Sequence, residues 1–94
     1  MFVRITSKAK EEIEHILKNK KIPEGYCLRI GVKGSGCSHQ YVVGLDKPTD
    51  FDETFVEEGF HYLVDKRHLM YLAGVVLDFE ERDTERGFIF RKEN

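Results

Sequence analysis

Helical spacing is sustained only once in this sequence, near its start; after Pro23 the apolar period shortens to two and dominates the rest of the chain. The helix opens at Ile5-Thr6-Ser7, where Thr6 or Ser7 can accept a backbone N–H as the N-cap. Glu11 and Glu12 are expected near the positive end of the dipole. Ala9, Ile13, Ile16 and Leu17 recur on one stripe, and Lys18-Asn19-Lys20-Lys21 suits the negative end. Pro23 and Gly25 end the helix. Tyr26, Leu28, Ile30 and Val32 then alternate with Cys27, Arg29 and Gly31, the pattern of a strand with one buried face.

Lys33-Gly34-Ser35-Gly36-Cys37-Ser38-His39 is a glycine-rich loop, followed by a strand from Gln40 to Leu45 that Asp46-Lys47-Pro48 ends. Asp50, Asp52 and Glu53 form an acidic connection. Thr54 to Glu57 and Phe60 to Val64 read as strands joined at Glu58-Gly59. Asp65 caps a short helix carrying Leu69, Met70 and Leu72, which Gly74 stops. Val75 to Phe79 is a strand, Glu80 to Arg86 a polar turn, and Gly87 to Phe90 a last short strand. Strands and helices do not alternate as a parallel α/β sheet requires. The expected class is α+β, mainly β: two small packed sheets with two helices outside, in one domain over residues 1–94.

A chain of 94 residues buries only about 60–65% of its unfolded surface, so its core is thin and a dimer contact would help it. Its apolar share of 40% against 34% charged residues is that of an ordinary globule and not of a disordered segment. No apolar run approaches the roughly 18–20 residues that cross a bilayer, and Met1-Phe2-Val3-Arg4 does not start a signal peptide, so the expected location is cytoplasmic, with no membrane partner. Residues 1–47 hold nine Lys/Arg against five Asp/Glu, and residues 48–94 six against twelve, an asymmetry read as two solvated faces. No basic patch interleaved with aromatics offers a nucleic-acid surface. Phe55, Phe60, Tyr62, Phe79, Phe88 and Phe90 lie at strand spacing and are assigned to the core. Asp78, inside an apolar strand, is expected to be buried with a partner in a structural role. Cys27 and Cys37 are too few for a disulfide framework and read as free thiols or ligands.

One series of residues resembles the HesB/IscA family of A-type iron–sulfur carriers in order and spacing from about residue 5 to residue 90. It runs from Ile5-Thr6 and Ala9 through Leu28-Arg29-Ile30-Gly31-Val32 into Ser35-Gly36-Cys37-Ser38. Downstream it includes Gly59-Phe60, Val64-Asp65, Leu72-Ala73-Gly74, Leu77-Asp78-Phe79 and Gly87-Phe88-Ile89-Phe90. The resemblance implies a HesB-like domain that binds iron or an iron–sulfur cluster between subunits and passes it to apo-proteins. The family's ligands are a cysteine in the Ser-Gly-Cys-Ser loop and a Cys-x-Cys pair in a C-terminal tail. Only the first has a match here, Cys37, because Phe90 is followed by Arg91-Lys92-Glu93-Asn94. Where the family has Gly after Cys-Ser, this sequence has His39, and Tyr41 and Pro48 arrive early.

The expectation is thus an assembly or carrier protein holding iron or an iron–sulfur cluster through Cys37 at a homodimer interface, with apo iron–sulfur clients or an assembly scaffold as partners. Clusters take four ligands, normally thiolates, and imidazoles replace two of them in Rieske centres. Two copies each giving Cys37 and His39 would complete a set, and a small thiol could also fill it. Cys27, on the Arg29 face of its strand, reads as a small hydrophobe, and His15, His61 and His68 stand on separate elements. No nucleophile–base–orienter set or phosphate loop is visible, which argues against an enzyme. Two further readings stand: a degenerate member that keeps the fold as a protein-interaction module, and a thiol redox sensor using Cys37.

Overall fold

A computed structural model describes residues 2–19, 21–34 and 40–92. In chain order the elements are β1 (Arg4–Ile5), α1 (Ser7–Leu17), β2 (Cys27–Lys33), β3 (Gln40–Asp46), β4 (Asp52–Glu57), β5 (Phe60–Asp65), a 3₁₀ turn (Lys66–His68), α2 (Leu69–Leu72), β6 (Val75–Arg82) and β7 (Glu85–Lys92). They form two sheets, one of three strands in the order β1-β6-β7 and one of four in the order β3-β2-β5-β4. The α+β, mainly β expectation holds, with two helices and two small sheets among the described residues.

Local chemistry explains most boundaries. Thr6 is the N-cap of α1: its hydroxyl accepts from the Ala9 N–H at 3.2 Å and donates to Asp78 Oδ1 at 2.6 Å. That second bond fastens the helix start to β6. The expected acidic first turn is absent; Glu12 instead meets Arg86 of β7 at 3.0 Å. Asp65 ends β5 and caps the 3₁₀ turn, accepting from the Arg67 N–H at 2.9 Å. Glycines close two connections in the left-handed region: Gly59 (φ +93°) between β4 and β5, and Gly74 (φ +80°) after α2.

Several boundaries differ from the sequence pattern: β4 starts at Asp52 and not Thr54, β7 runs to Lys92, and two differences are larger. Arg4–Ile5 is a short strand, parallel to β6 with Arg4 opposite Val76 and Ile5 opposite Leu77. The polar stretch from Glu80 to Arg86 is not a long turn: β6 runs to Arg82, β7 starts at Glu85, and Asp83-Thr84 alone connects them. A ladder extends past the core wherever cross-strand neighbours attract, and Glu81 stands directly opposite Arg86 at 3.5 Å.

The core joins both sheets and α1. Ala9 and Ile13 from the helix, Leu28 and Ile30 from β2, Phe60, Tyr62 and Val64 from β5, and Val75, Leu77 and Phe79 from β6 are buried together. Phe55, Phe88 and Phe90 pack against it partly exposed, so all six aromatics assigned to the core belong there. Phe2, Phe55 and Tyr62 form a stack with centroids 5.1 and 5.2 Å apart. The Tyr62 hydroxyl is not stranded, since it accepts from the Val3 N–H at 3.2 Å.

Candidate functional site

The segment with the matched cysteine joins β2 to β3. These strands pair antiparallel along their whole length, from Cys27 opposite Asp46 to Lys33 opposite Gln40. Residues 34–39 connect the last pair in sequence. Cys37 and His39, the two predicted ligands, lie outside the described residues. The strands that carry them are fully described.

The far end of this hairpin has little sheet around it. Among the described residues β2 pairs with β5 only at Leu28–Tyr62 and Arg29–Leu63, and β3 is the single strand neighbour of Gly31, Val32 and Lys33. A two-stranded ribbon is marginal in water unless other elements hold it. Two contacts do so, one on each face. On the inner face Tyr41 of β3 packs against Phe90 of β7, with centroids 5.4 Å apart. This contact brings the start of β3 beside the end of β7. On the outer face His68 lies over Gly31, so close that a Cβ at Gly31 would stand 3.1 Å from Nδ1. The same Nδ1 accepts from the Val32 N–H at 3.4 Å.

Nearer its base the hairpin is clamped by charge. The Arg29 guanidinium donates to both oxygens of Asp52 at 2.6 Å, to Asp46 at 3.0 Å and to the Lys47 carbonyl at 3.2 Å. Asp52 also accepts from the Thr49 N–H at 2.7 Å, and its side chain is only 2% exposed. The Arg29 hydrogen bonds hold its carboxyl below the ordinary range despite burial. Asp52 and Glu53, expected in an acidic connection, are instead the first two residues of β4, and Asp52 ties the start of that strand to the outer face of β2. Arg29 lies 23 residues before Asp52, and no local pattern announces the pair.

The other candidates fall elsewhere. Cys27 is a half-buried free thiol at the first position of β2, about 20 Å of strand away from Lys33. His15 and His61 are exposed on α1 and β5. Among the described residues no three His, Cys, Asp or Glu side chains gather to hold a metal ion. Asp78 has the partners expected of it but is half-buried and not buried: Thr6 donates to one oxygen, Arg91 to the other at 2.8 Å, and the Phe79 N–H to the first at 2.8 Å. These bonds hold its carboxyl at about 2. His68, which the sequence shows only as standing on an element of its own, is instead set against β2. Its signal was Gly31, since a glycine inside a strand pattern marks a close approach.

Comparison with known proteins places this architecture. A profile described as iron-sulphur cluster biosynthesis matches residues 1–94. The iron-binding protein IscA of an Enterobacter species is 33% identical over 96 aligned positions, covering 100% of this chain and 88% of its own. The crystal structure of Escherichia coli SufA, described as involved in biosynthesis of iron-sulfur clusters, superposes with a TM-score of 0.80 at 25% identity, covering 96% of this chain and 79% of that one. A crystal structure of IscA with a [2Fe-2S] cluster has the same fold, with a TM-score of 0.71 at 24% identity over 98% of this chain and 83% of that one.

Proposed function

We infer how this chain works from the family it belongs to, the HesB/IscA family of iron–sulphur cluster biosynthesis. Its function is in iron–sulfur cluster assembly, as a carrier, and iron or a cluster is its cargo. Cys37 is the ligand it brings to that cargo, because soft thiolate sulfur stabilises iron in a sulfide-bridged core. His39, two residues on, is the second donor. Two copies then supply two thiolates and two imidazoles, so the working unit is a homodimer with the Cys37 segments facing one another. Residues 1–94 act as one domain, in the cytoplasm, and the cargo passes from an assembly scaffold to apo-protein clients. No described helix is long and apolar enough to cross a membrane. The protein is a carrier and not a catalyst: it exchanges ligands on its cargo and breaks no covalent bond in a substrate.

The observation that carries this reading is the framing of the Ser35-Gly36-Cys37-Ser38 segment. It joins two strands in register up to Lys33 and Gln40, and the Tyr41–Phe90 contact sets that end beside the close of β7. Anaerobic reconstitution with iron and sulfide tests it. Wild type should develop thiolate-to-iron charge-transfer absorption and an iron–sulfide Mössbauer signature, while Cys37→Ser stays colourless. A colourless, monomeric wild type would overturn the reading.

A further inference from the structure

We propose that His68 is a positioning residue for the Cys37 segment, latching the end of β2 where β5 no longer supports it. The inference rests on the carrier reading only for its functional consequence; the latch itself is a matter of geometry.

The ladder between β2 and β5 stops at Arg29–Leu63, yet β2 continues for four more residues. Along that stretch each backbone N–H directed away from β3 needs another acceptor. A buried N–H left without one is costly, and Val32 is only 9% exposed. His68 Nδ1 fills this place at 3.4 Å, standing where a strand carbonyl would otherwise be. A ring can lie so close because residue 31 has no side chain: a Cβ there would sit 3.1 Å from Nδ1 and 3.8 Å from Cε1. Gly31 and His68 thus fit as a pair.

The imidazole is itself firmly placed. The Lys66 N–H donates to the Phe51 carbonyl at 2.8 Å, Asp65 caps the turn, and fully buried Leu72 anchors the helix that follows. Accepting a hydrogen bond at Nδ1 requires that nitrogen to be unprotonated, which leaves the proton of a neutral ring on Nε2. His68 therefore serves as an acceptor for the strand and not as a further metal ligand through Nδ1. Val32 precedes Cys37 by five residues, so the latch fixes one of the two strands that deliver the thiol.

Amide hydrogen exchange at Val32 tests the latch, with metal-free and iron–sulfide-loaded protein tested in parallel for its consequence. His68→Ala should speed Val32 exchange about tenfold. His68→Asn should restore it, because Oδ1 takes the position of Nδ1. Gly31→Ala should speed exchange in wild type by displacing the ring, and should add nothing further once His68 is Ala. In metal-free protein, Cys37 alkylation should rise about threefold in His68→Ala and return to the wild-type rate in His68→Asn. Iron release to a chelator should follow the same order. Unchanged Val32 exchange in His68→Ala would overturn the latch. A faster Val32 with unaltered alkylation and iron release would overturn its positioning role while leaving the carrier reading intact. If wild type took up no iron, the carrier reading would fall, and exchange and alkylation would still decide the latch.

Discussion

Two of the three antiparallel hairpins among the described residues, β6–β7 and β2–β3, are nearly equal in length and opposite in design. In β6–β7 every residue from Val75 to Arg82 pairs with one from Glu85 to Lys92, and two residues make the turn. Its inner half supplies fully buried Val75, Val76 and Leu77, and its outer half is stabilised by charge across the ladder. In β2–β3 the ladder also runs to its last pair, but the connection is the glycine-rich 34–39 segment with Cys37 inside it. Its supports come from elsewhere in the chain: Phe90 on one face, His68 on the other, and the Arg29–Asp52 clamp near the base. A hairpin with a tight turn can be stable by itself, whereas one joined by a longer glycine-rich connection gains from supports outside it. In the proposed function β6–β7 carries stability and β2–β3 carries the chemistry.

Breaking the first hairpin should produce the largest effect. Leu77 is fully buried at the centre of β6, and Leu77→Ala should cost about 3–4 kcal/mol in denaturant unfolding. Cys37 alkylation in the remaining folded fraction should be unaltered. A loss below about 1 kcal/mol would mean that the core does not centre on β6. Phe90→Ala reaches both hairpins, since it removes half-buried core area and the support of Tyr41. It should cost about 2 kcal/mol and also accelerate Cys37 alkylation. Lost stability with unaltered alkylation would show that the two hairpins are not coupled there.

Asp78 sharpens the comparison through pH. An unfolded aspartate titrates near 3.9, and the folded carboxyl is held at about 2 by Thr6, Arg91 and the Phe79 N–H. Its stabilisation is therefore complete above the unfolded value and is lost as pH falls through the folded one. With the site partly open to solvent, Asp78→Asn should cost about 1 kcal/mol at neutral pH. The difference from wild type should shrink as pH falls from about 4 and vanish only below about pH 2. A difference as large at pH 2 as at neutral pH would refute this assignment. The smallest effect is expected at the exposed tip of β6–β7, where Arg82→Ala removes a pair with Glu80 that is open to water. It should change stability by less than about 0.5 kcal/mol; a larger loss would give the charged tip a weight the comparison denies it.

The division between the hairpins was only partly legible in the sequence. The buried stripe of α1, the alternation in β2 and β5, and the Asp65 cap are local patterns, and the structure follows them. The short strand β1 was not legible, because two residues carry no period and its partner is more than seventy residues away. The Glu80–Arg86 stretch looked like a turn because charge marks solvent, and a solvated ladder is as polar as a loop. Cys37 is proposed from the motif around it and lies outside the described residues. Its supports were missed because Arg29–Asp52, Tyr41–Phe90 and His68–Gly31 are contacts made only by the tertiary fold. Gly31 alone left a trace, as a missing side chain in the middle of a strand.

The central claim is that this chain meets its cargo through the β2–β3 connection and nowhere else. Differential alkylation, read by peptide mass before and after anaerobic loading with iron and sulfide, tests this most directly because the two cysteines report separately. Loading should protect Cys37 strongly and leave the rate at half-buried Cys27 as it was. Protection at Cys27, or equal reactivity of Cys37 in loaded and unloaded protein, would contradict it.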